Sequence, residues 1–351
     1  MKILYLSKNM SIYIFSLYQQ DVMDELSRVA NVFFYGPNFP NYNINDDICE
    51  IIAKSSFNPD IIVLGHSWLA DLEGKNVDPH PALALLKTTI PKFGIINKEY
   101  VNIEEKLKYY KDNNFDIVFS HHHEVDKYSE RTGIPFVFWP FGVNHHVFNA
   151  HNTNEDRGYD FSFSGLLQNQ NKRAKQTDIR VRLQSELFYT IKDIPIAKRG
   201  KYRKFRIYWN AIPRRKVCLT IAYCLRKYRY LSIDEYRCLQ ENTKMFINSL
   251  SPIGLISPRY FENMASKCLV LCEESDIYTK IFNSDYFVQF KPDVSDLYEK
   301  IHYYTQHTDK RENLVEQAYA EVMAKHTWKK RIAYMLDLIS AFINNKKCEA
   351  L

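Results

Sequence analysis

The sequence predicts an α/β protein of two Rossmann-like domains facing a central cleft, with helices at the C-terminus. The architecture rests on three observations. Continuous β-rich apolar runs alternate with amphipathic stretches, the alternation restarts after a polar interval, and 351 residues are too many for one ordinary core. The composition, 46% hydrophobic and 25% charged, is that of a folded soluble chain and excludes a disordered one.

In the first half KILYL from Lys2 predicts a strand, 12–29 a helix, NVFFY from Asn31 a strand and 46–55 a helix. PDIIVLGHS from Pro59, PKFGIIN from Pro91, FDIVFS from Phe115 and IPFVFW from Ile134 predict four more strands. Apolar runs without alternation belong to a parallel sheet buried on both faces. The interval NAHNTNEDRGYD reads as a loop, after which YDFSFSG from Tyr159 opens a second set. There 172–191 predicts a helix, KMFINSL, CLVLCEE and YFVQF strands, PRYFENMAS a helix, and 294–345 successive helices. The expected domains are 1–148 and 149–327, with a basic insertion at 194–233 and a last helix, 328–351, packing back on the first domain. Ligands of such sheets bind beyond the carboxyl ends of the strands.

The seven cysteines are odd in number and scattered without CxxC pairs, which points to free thiols in a reducing cytosol. MKILYLSKNM turns polar too early for a signal peptide, and no window approaches 18 consecutive apolar residues, so no spanning helix is expected.

The net charge of +6 is concentrated. Residues 194–233 hold 12 basic side chains and no acid, leaving 35 basic against 41 acidic residues elsewhere. Interleaved with Tyr202, Phe205, Tyr208, Trp209, Tyr228 and Tyr230, they suit an anionic membrane surface. The apolar run 217–225 is too short to span a bilayer and long enough to lie in its interface. Nucleic acid and a plain solvated face are the competing readings; no nucleic-acid-binding motif accompanies the charge, and no nucleic acid is expected.

The densest signal is SPIGLISPRYFENMASKCLVLCEES from Ser251. Ser257 is the expected N-cap, Pro258 suits the first helical turn, and Phe261, Met264 and Ala265 share one face. Arg259 and Glu262 are three apart near the helix start, which is a natural anion site that an arginine strengthens. At that spacing they are equally suited to an ordinary surface ion pair.

YDFSFSG followed by Lys172 and Arg173, then TKMFINSL, then SPRYFENMASKCLVL resembles the C-terminal half of group 1 glycosyltransferases of GT-B fold, nearest to the CgeB-type spore maturation branch. FNPDIIVLGHS resembles the strand ending in histidine of that fold, and DIVFSHHHEVDKYSERTGIPFVFWPFGVNHHVF its strand, helix, strand and linker into the second domain. The resemblance implies transfer of a sugar from a nucleotide donor held by the C-terminal domain to a glycan or lipid-linked acceptor held by the N-terminal one. It places Glu262 at the donor ribose, Arg259 near the phosphates, and Gly165 with Arg173 on the first loop of the donor domain. Related retaining enzymes carry a second glutamate eight residues earlier; this chain has Gly254 there, and the stereochemical outcome stays open. A leaving diphosphate in a fold without a metal must be neutralised by cations and helix-end N–H groups, for which Lys244, Arg173 and Arg259 are the candidates.

The run FSHHHEVDKY raises the question of a metal. Consecutive residues at a strand end point to opposite sides, so His121, His122 and His123 do not readily converge on one ion, and zinc spacings are missing. Neither a metal nor another cofactor is expected. His66 after the third strand, and Lys98 with Glu99 after the fourth, compete for the catalytic role, since His and Glu suit proton transfer near neutral pH. The same histidine suits a cap or a packing partner of Trp68. The expected function is a cytosolic-side transferase in bacterial surface polysaccharide synthesis, lipopolysaccharide or capsule, peripheral on the inner face of the cell membrane. A GT-B nucleotide-sugar epimerase and a catalytically silent nucleotide-sugar or glycan-binding protein are the alternatives.

Overall fold

The computed structural model describes residues 1–12, 17–69, 80–150, 157–167, 179–191, 194–197, 200–213, 230–251, 253–282 and 285–349. It divides into two compact units, 1–142 with 328–351, and 143–327.

The first unit is built on six parallel strands, β1 (Lys2–Leu6), β2 (Asn31–Tyr35), β3 (Ile61–Leu64), β4 (Lys92–Ile96), β5 (Ile117–Ser120) and β6 (Phe136–Phe138), in the order β2-β1-β3-β4-β5-β6. Every residue of β3, β4 and β5 is buried, as both faces of a parallel sheet require. The helices are α1 (Tyr18–Val29), α2 (Ile48–Lys54), α3 (Ile103–Asp112) and α4 (Val125–Thr132). α1 is shorter than expected, and 13–16 lie outside the described residues. α2 is fixed by a capping box: Asp47 Oδ1 accepts from the N–H groups of Cys49 and Glu50, while Glu50 Oε2 accepts from Asp47 N. Leu4, Leu6, Ile62, Leu64, Ile96 and Val118 form the centre of the core.

The second unit starts with β7 (Tyr159–Leu167) and α5 (Ile179–Leu187), then β8 (Phe188–Ile191) and β9 (Ile194–Ala197). The expected helix 172–191 therefore ends early. Phe188, Tyr189, Thr190 and Ile191 are β-branched or aromatic, and β8 pairs antiparallel with β9 from Phe188↔Ala197 to Ile191↔Ile194. β10 (Ile207–Pro213), α6 (Ile233–Glu241), β11 (Thr243–Ile247), α7 (Pro258–Ala265), β12 (Leu269–Glu273), β13 (Val288–Phe290), α8 (Leu297–Gln306) and α9 (Thr308–Lys325) complete it. Its sheet is parallel in the order β10-β7-β11-β12-β13.

The expected basic insertion is, in its middle, part of this sheet. β10 pairs residue for residue with β7, from Ile207↔Phe161 to Pro213↔Leu167. Just before it Tyr202 and Phe205 are buried in the core, and Lys201 and Lys204 lie 5.0 and 5.3 Å from the centre of the Tyr298 ring. Arg214, Arg215 and Lys216 fall outside the described residues.

Arg157 fastens the amino side of this sheet. Its buried guanidinium donates to the carbonyls of Gln240 (3.4 Å), Thr243 (2.6 Å) and Ser266 (2.9 Å), and lies 3.5 Å from the Cys268 thiol. Gln240 and Ser266 stand at the carboxyl ends of α6 and α7, where the helix dipole is negative, so this buried cation is neutralised by carbonyls. Burial pushes the Cys268 thiol up to about 11, against the pull of Arg157. Among the described cysteines Cys49 and Cys238 are exposed, and Cys268 and Cys272 are buried.

The chain enters this unit at Val143 and leaves at Thr327, which pair with each other, and Val143 N donates to His326 O at 3.0 Å. It then returns to the first unit as α10 (Trp328–Glu349), which packs on α1. Trp139 Nε1 donates to Arg331 O at 2.9 Å, and Arg331 Nε to Phe141 O at 3.3 Å, which fixes the first turn of the helix.

Candidate functional site

In the second unit the site residues gather where β7 and β11 end and α7 begins. Ser257 occupies the N-cap position in extended backbone (φ −78°, ψ 163°) and Pro258 the first turn, though the Ser257 hydroxyl makes no capping bond. Arg259 donates to the Ser164 carbonyl at 2.7 Å. A Cβ on Gly165 would stand 2.6 Å from that guanidinium, so the glycine is what lets the arginine lie against the strand. Glu262 sits one turn further along. The phenol of Tyr236 is raised by burial and next by the carboxylate of Glu262, with Arg259 opposing, so the three side chains share one locality.

Two neighbours were not legible in the sequence. Arg180, in the first turn of α5, donates to Ser249 Oγ at 2.6 Å, and its charge reaches the Tyr260 phenol in α7. Asn248, just past β11, accepts from Asn263 Nδ2 at 3.1 Å, while its own Nδ2 is buried without a partner among the described residues. Arg173 lies outside the described residues.

Lys244 is elsewhere. It is the second residue of β11 and pairs with Asp160, the second residue of β7, at 3.2 Å. Burial pushes the Asp160 carboxyl up, but the Arg206 N–H, Lys244 and the Arg206 guanidinium bring it below its ordinary value. Ser164 is four residues further along β7, about 13 Å at strand spacing, so Lys244 does not join Arg259. Gly254 (φ +75°) is a turn residue whose N–H donates to Ser251 O at 2.9 Å, and the space around its absent Cβ is open. No carboxylate stands there.

In the first unit the candidates gather after β3, β4 and β5. His66 is buried and its Nε2 lies 2.7 Å from His121 Nε2. Trp68, its expected partner, stacks instead on His80. Burial, then the neighbouring His121, hold His66 well below its ordinary value. His121 stacks on Phe141, ring centres 3.8 Å apart, and on Trp139, whose carbonyl lies 2.7 Å from His121 Nδ1. His122 turns the other way, its N–H towards Glu99 Oε1 at 3.3 Å and its ring on His123. His121 thus has surroundings of its own, while the rings of His122 and His123 lie together, 4.5 Å between centres. Among the described residues no group of three or more His, Cys, Asp or Glu side chains is arranged to hold a metal ion.

Glu99 is buried; Oε1 accepts from Ser120 Oγ at 2.9 Å and Oε2 has no partner among the described residues. Burial raises its carboxyl above the ordinary range, opposed by those hydrogen bonds and by His122. Lys98 has positive φ (53°) and is half-buried, and the carbonyls of Asn97 and Lys98 both accept from the buried ammonium of Lys106, at 2.8 and 3.1 Å. Tyr18 Oη donates to Asn97 Oδ1 at 3.2 Å, with its ring edge on His66.

Residues 189–337 match a family described as glycosyl transferase-like. The chain is similar to three solved structures over nearly the full length of both partners. A glycosyltransferase from Rickettsia africae has 14% identity and TM-score 0.64, covering 98% of this chain and 99% of that one. A sucrose-phosphate synthase from Thermosynechococcus elongatus has 10% and 0.63, with 98% and 99% covered. HepE from Anabaena, solved with UDP and glucose, has 10% and 0.59, with 97% and 100% covered. The chain has the GT-B fold. The matched span runs from β8 to the first turns of α10 and includes α7, Arg259 and Glu262. Among curated proteins none matches the chain significantly.

Proposed function

We propose that this GT-B chain is a metal-independent glycosyltransferase that takes a sugar from a nucleoside diphosphate bound by the second unit and passes it to a hydroxyl of an acceptor bound by the first. The observation that carries this is Arg259. Its guanidinium rests on the Ser164 carbonyl against Gly165, at the amino end of α7, with Glu262 one turn away. A departing diphosphate builds negative charge, and an arginine at the positive end of a helix dipole stabilises it where it forms. Glu262 is suited to accept both hydroxyl hydrogens of a ribose. Arg180 adds a second cation, and the UDP and glucose bound by the Anabaena neighbour are of the same ligand class.

The test is calorimetry of UDP, GDP, CMP and dTDP with EDTA present, on the parent and on Glu262→Ala. Binding of one nucleoside diphosphate, weakened by the substitution, is the expected result; no binding of any overturns the reading. Nucleotide release that requires an acceptor separates a transferase from a binding protein, and product without release indicates an epimerase.

The finer reading places the reaction in bacterial surface polysaccharide synthesis, lipopolysaccharide or capsule, with a lipid-linked acceptor on the cytoplasmic face of the membrane. It follows the resemblance to the CgeB-type branch and the charge of 194–233. No helix of the described residues is long and apolar enough to cross a membrane, so attachment would be peripheral. Charge reversal at Arg214, Arg215 and Lys216 is expected to lower affinity for anionic vesicles and leave nucleotide binding intact; unchanged vesicle binding would refute the membrane contact.

A further inference from the structure

His66 and His121 are 1% and 2% exposed, and the 2.7 Å between their Nε2 atoms requires one to donate and the other to accept. The Trp139 carbonyl, 2.7 Å from His121 Nδ1, only accepts, so that nitrogen carries a hydrogen. Burial lowers His121 to about 3, with the Trp139 bond opposing and Arg331 contributing, so the ring is neutral and its Nε2 bare. His66 must then donate through Nε2–H. Because burial keeps His66 neutral too, its Nδ1 is a lone pair, and this atom is buried with no hydrogen-bond partner among the described residues.

Hydrogen-bonding atoms rarely stay unused in a protein interior. On the next strand Glu99 repeats the situation with Oε2. Two partnerless polar atoms at neighbouring strand ends suit a ligand rich in hydroxyl groups. The side chains around the pair are Tyr18 from α1, Phe141, Trp139, and Trp328 with Arg331 from α10. Tyr18, pushed up to about 12 by burial, stays protonated, and Glu99 acts on Tyr18.

We propose that His121 is a positioning residue: anchored on the Trp139 carbonyl, it locks His66 in the Nε2–H tautomer so that His66 Nδ1 accepts a hydrogen bond from a carbohydrate hydroxyl. The proposal rests on the transferase reading for its ligand and on the hydrogen-bond geometry and burial of the pair for its tautomer. The hydroxyl belongs to the donor sugar or to the acceptor.

The tautomer is read from long-range ¹H–¹⁵N spectra of the full chain labelled at histidine, with His66→Gln and His121→Gln giving the assignments. Hydrogen on Nε2 of His66 and on Nδ1 of His121 is expected near neutral pH; hydrogen on His66 Nδ1, or a charged His66, overturns the proposal. In transfer assays His121→Phe, which removes the acceptor nitrogen, is expected to lower kcat by about 10-fold without changing nucleotide affinity, while His121→Gln recovers most of it through its amide oxygen. Equal loss in both variants means the residue only packs, and overturns positioning. His66→Phe raising KM for the acceptor alone assigns the hydroxyl to the acceptor; raising KM for the nucleotide sugar assigns it to the donor; changing neither overturns the contact. If the parent binds no nucleotide, the transferase reading fails while the spectra still decide the tautomer.

Discussion

Gly165 has room for a hydrogen and nothing larger, because the Arg259 guanidinium fills the place of its Cβ. Gly165→Ala is expected to displace Arg259 and weaken nucleoside diphosphate binding by about 10-fold, as loss of one charge-assisted contact does, with the fold intact by circular dichroism. Gly254→Ala serves as the contrast. Its cost is left-handed backbone strain of about 1 kcal/mol in a denaturant titration, without change in nucleotide affinity. His66 and His121 set a pH dependence of a definite sign. Their folded values lie below the ordinary 6.5, so the unfolded chain binds the extra protons, and the stability is complete above about 6.5 and falls towards the folded values, about 3 for His121. Each histidine steepens the loss by at most about 1.4 kcal/mol per pH unit. The double variant His66→Phe, His121→Phe is expected to flatten the dependence of the denaturant midpoint between about pH 6.5 and 4.5; an unchanged slope would show that these rings ionise freely. Arg259 and Glu262 were legible because proline, N-cap and spacing announce a helix start locally. The histidine pair was not, since its members stand 55 residues apart and only the sheet brings them together.

At the level of elements, Lys244 teaches the direction of a strand. Being two residues into β11 puts it at the amino end, where Asp160, itself paired with Arg206, holds it, although the same residue type at the other end would meet a ligand. Lys244→Met is expected to leave nucleotide affinity unchanged and to lower stability by about 1–2 kcal/mol, because Asp160 keeps only its Arg206 partners. A loss of affinity in that variant would return Lys244 to the donor site. The strands of the first unit were legible as uninterrupted apolar runs. β10 was hidden by its flanks: IYWNAIP is an apolar strand set among lysines and arginines, and charge density drew attention from a pattern that its pairing with β7 makes plain. β8 was hidden likewise, continuing a helical stretch without a glycine or proline to mark the change. α6 too was not expected, although it begins with a complete capping box, Ser232 with Glu235, because the basic segment before it drew the reading.

At the level of the whole molecule, the restart of the β-rich pattern after the polar interval was enough to show two halves, since each sheet needs its own set of buried runs. The share of the last helix in each half is a matter of packing. α10 contributes Trp328, Ile332, Met335 and Ile339, all buried, to the first unit although 185 residues of the second unit precede it in the chain. A chain ending at Thr327 is expected to lose the first unit's cooperative unfolding transition, because each such side chain left in water costs about 2 kcal/mol, while the second unit's transition remains. Retention of both transitions in calorimetry would mean that α10 adds little to the core.

The carbonyl cradle around Arg157 also gives the second unit a clock. Cys268 touches that guanidinium from inside the sheet, and its thiol, held up to about 11 by burial, is unreactive while the cradle is closed. Cys49 and Cys238 are exposed and take an alkylating reagent at once, whereas Cys268 waits until the strands around it part. With reagent concentrated enough to outpace reclosing, the rate at which mass spectrometry finds Cys268 modified is therefore the opening rate of the second unit alone, measured in the intact chain. A nucleotide that binds there is expected to slow this clock, and so to announce itself without any knowledge of the acceptor.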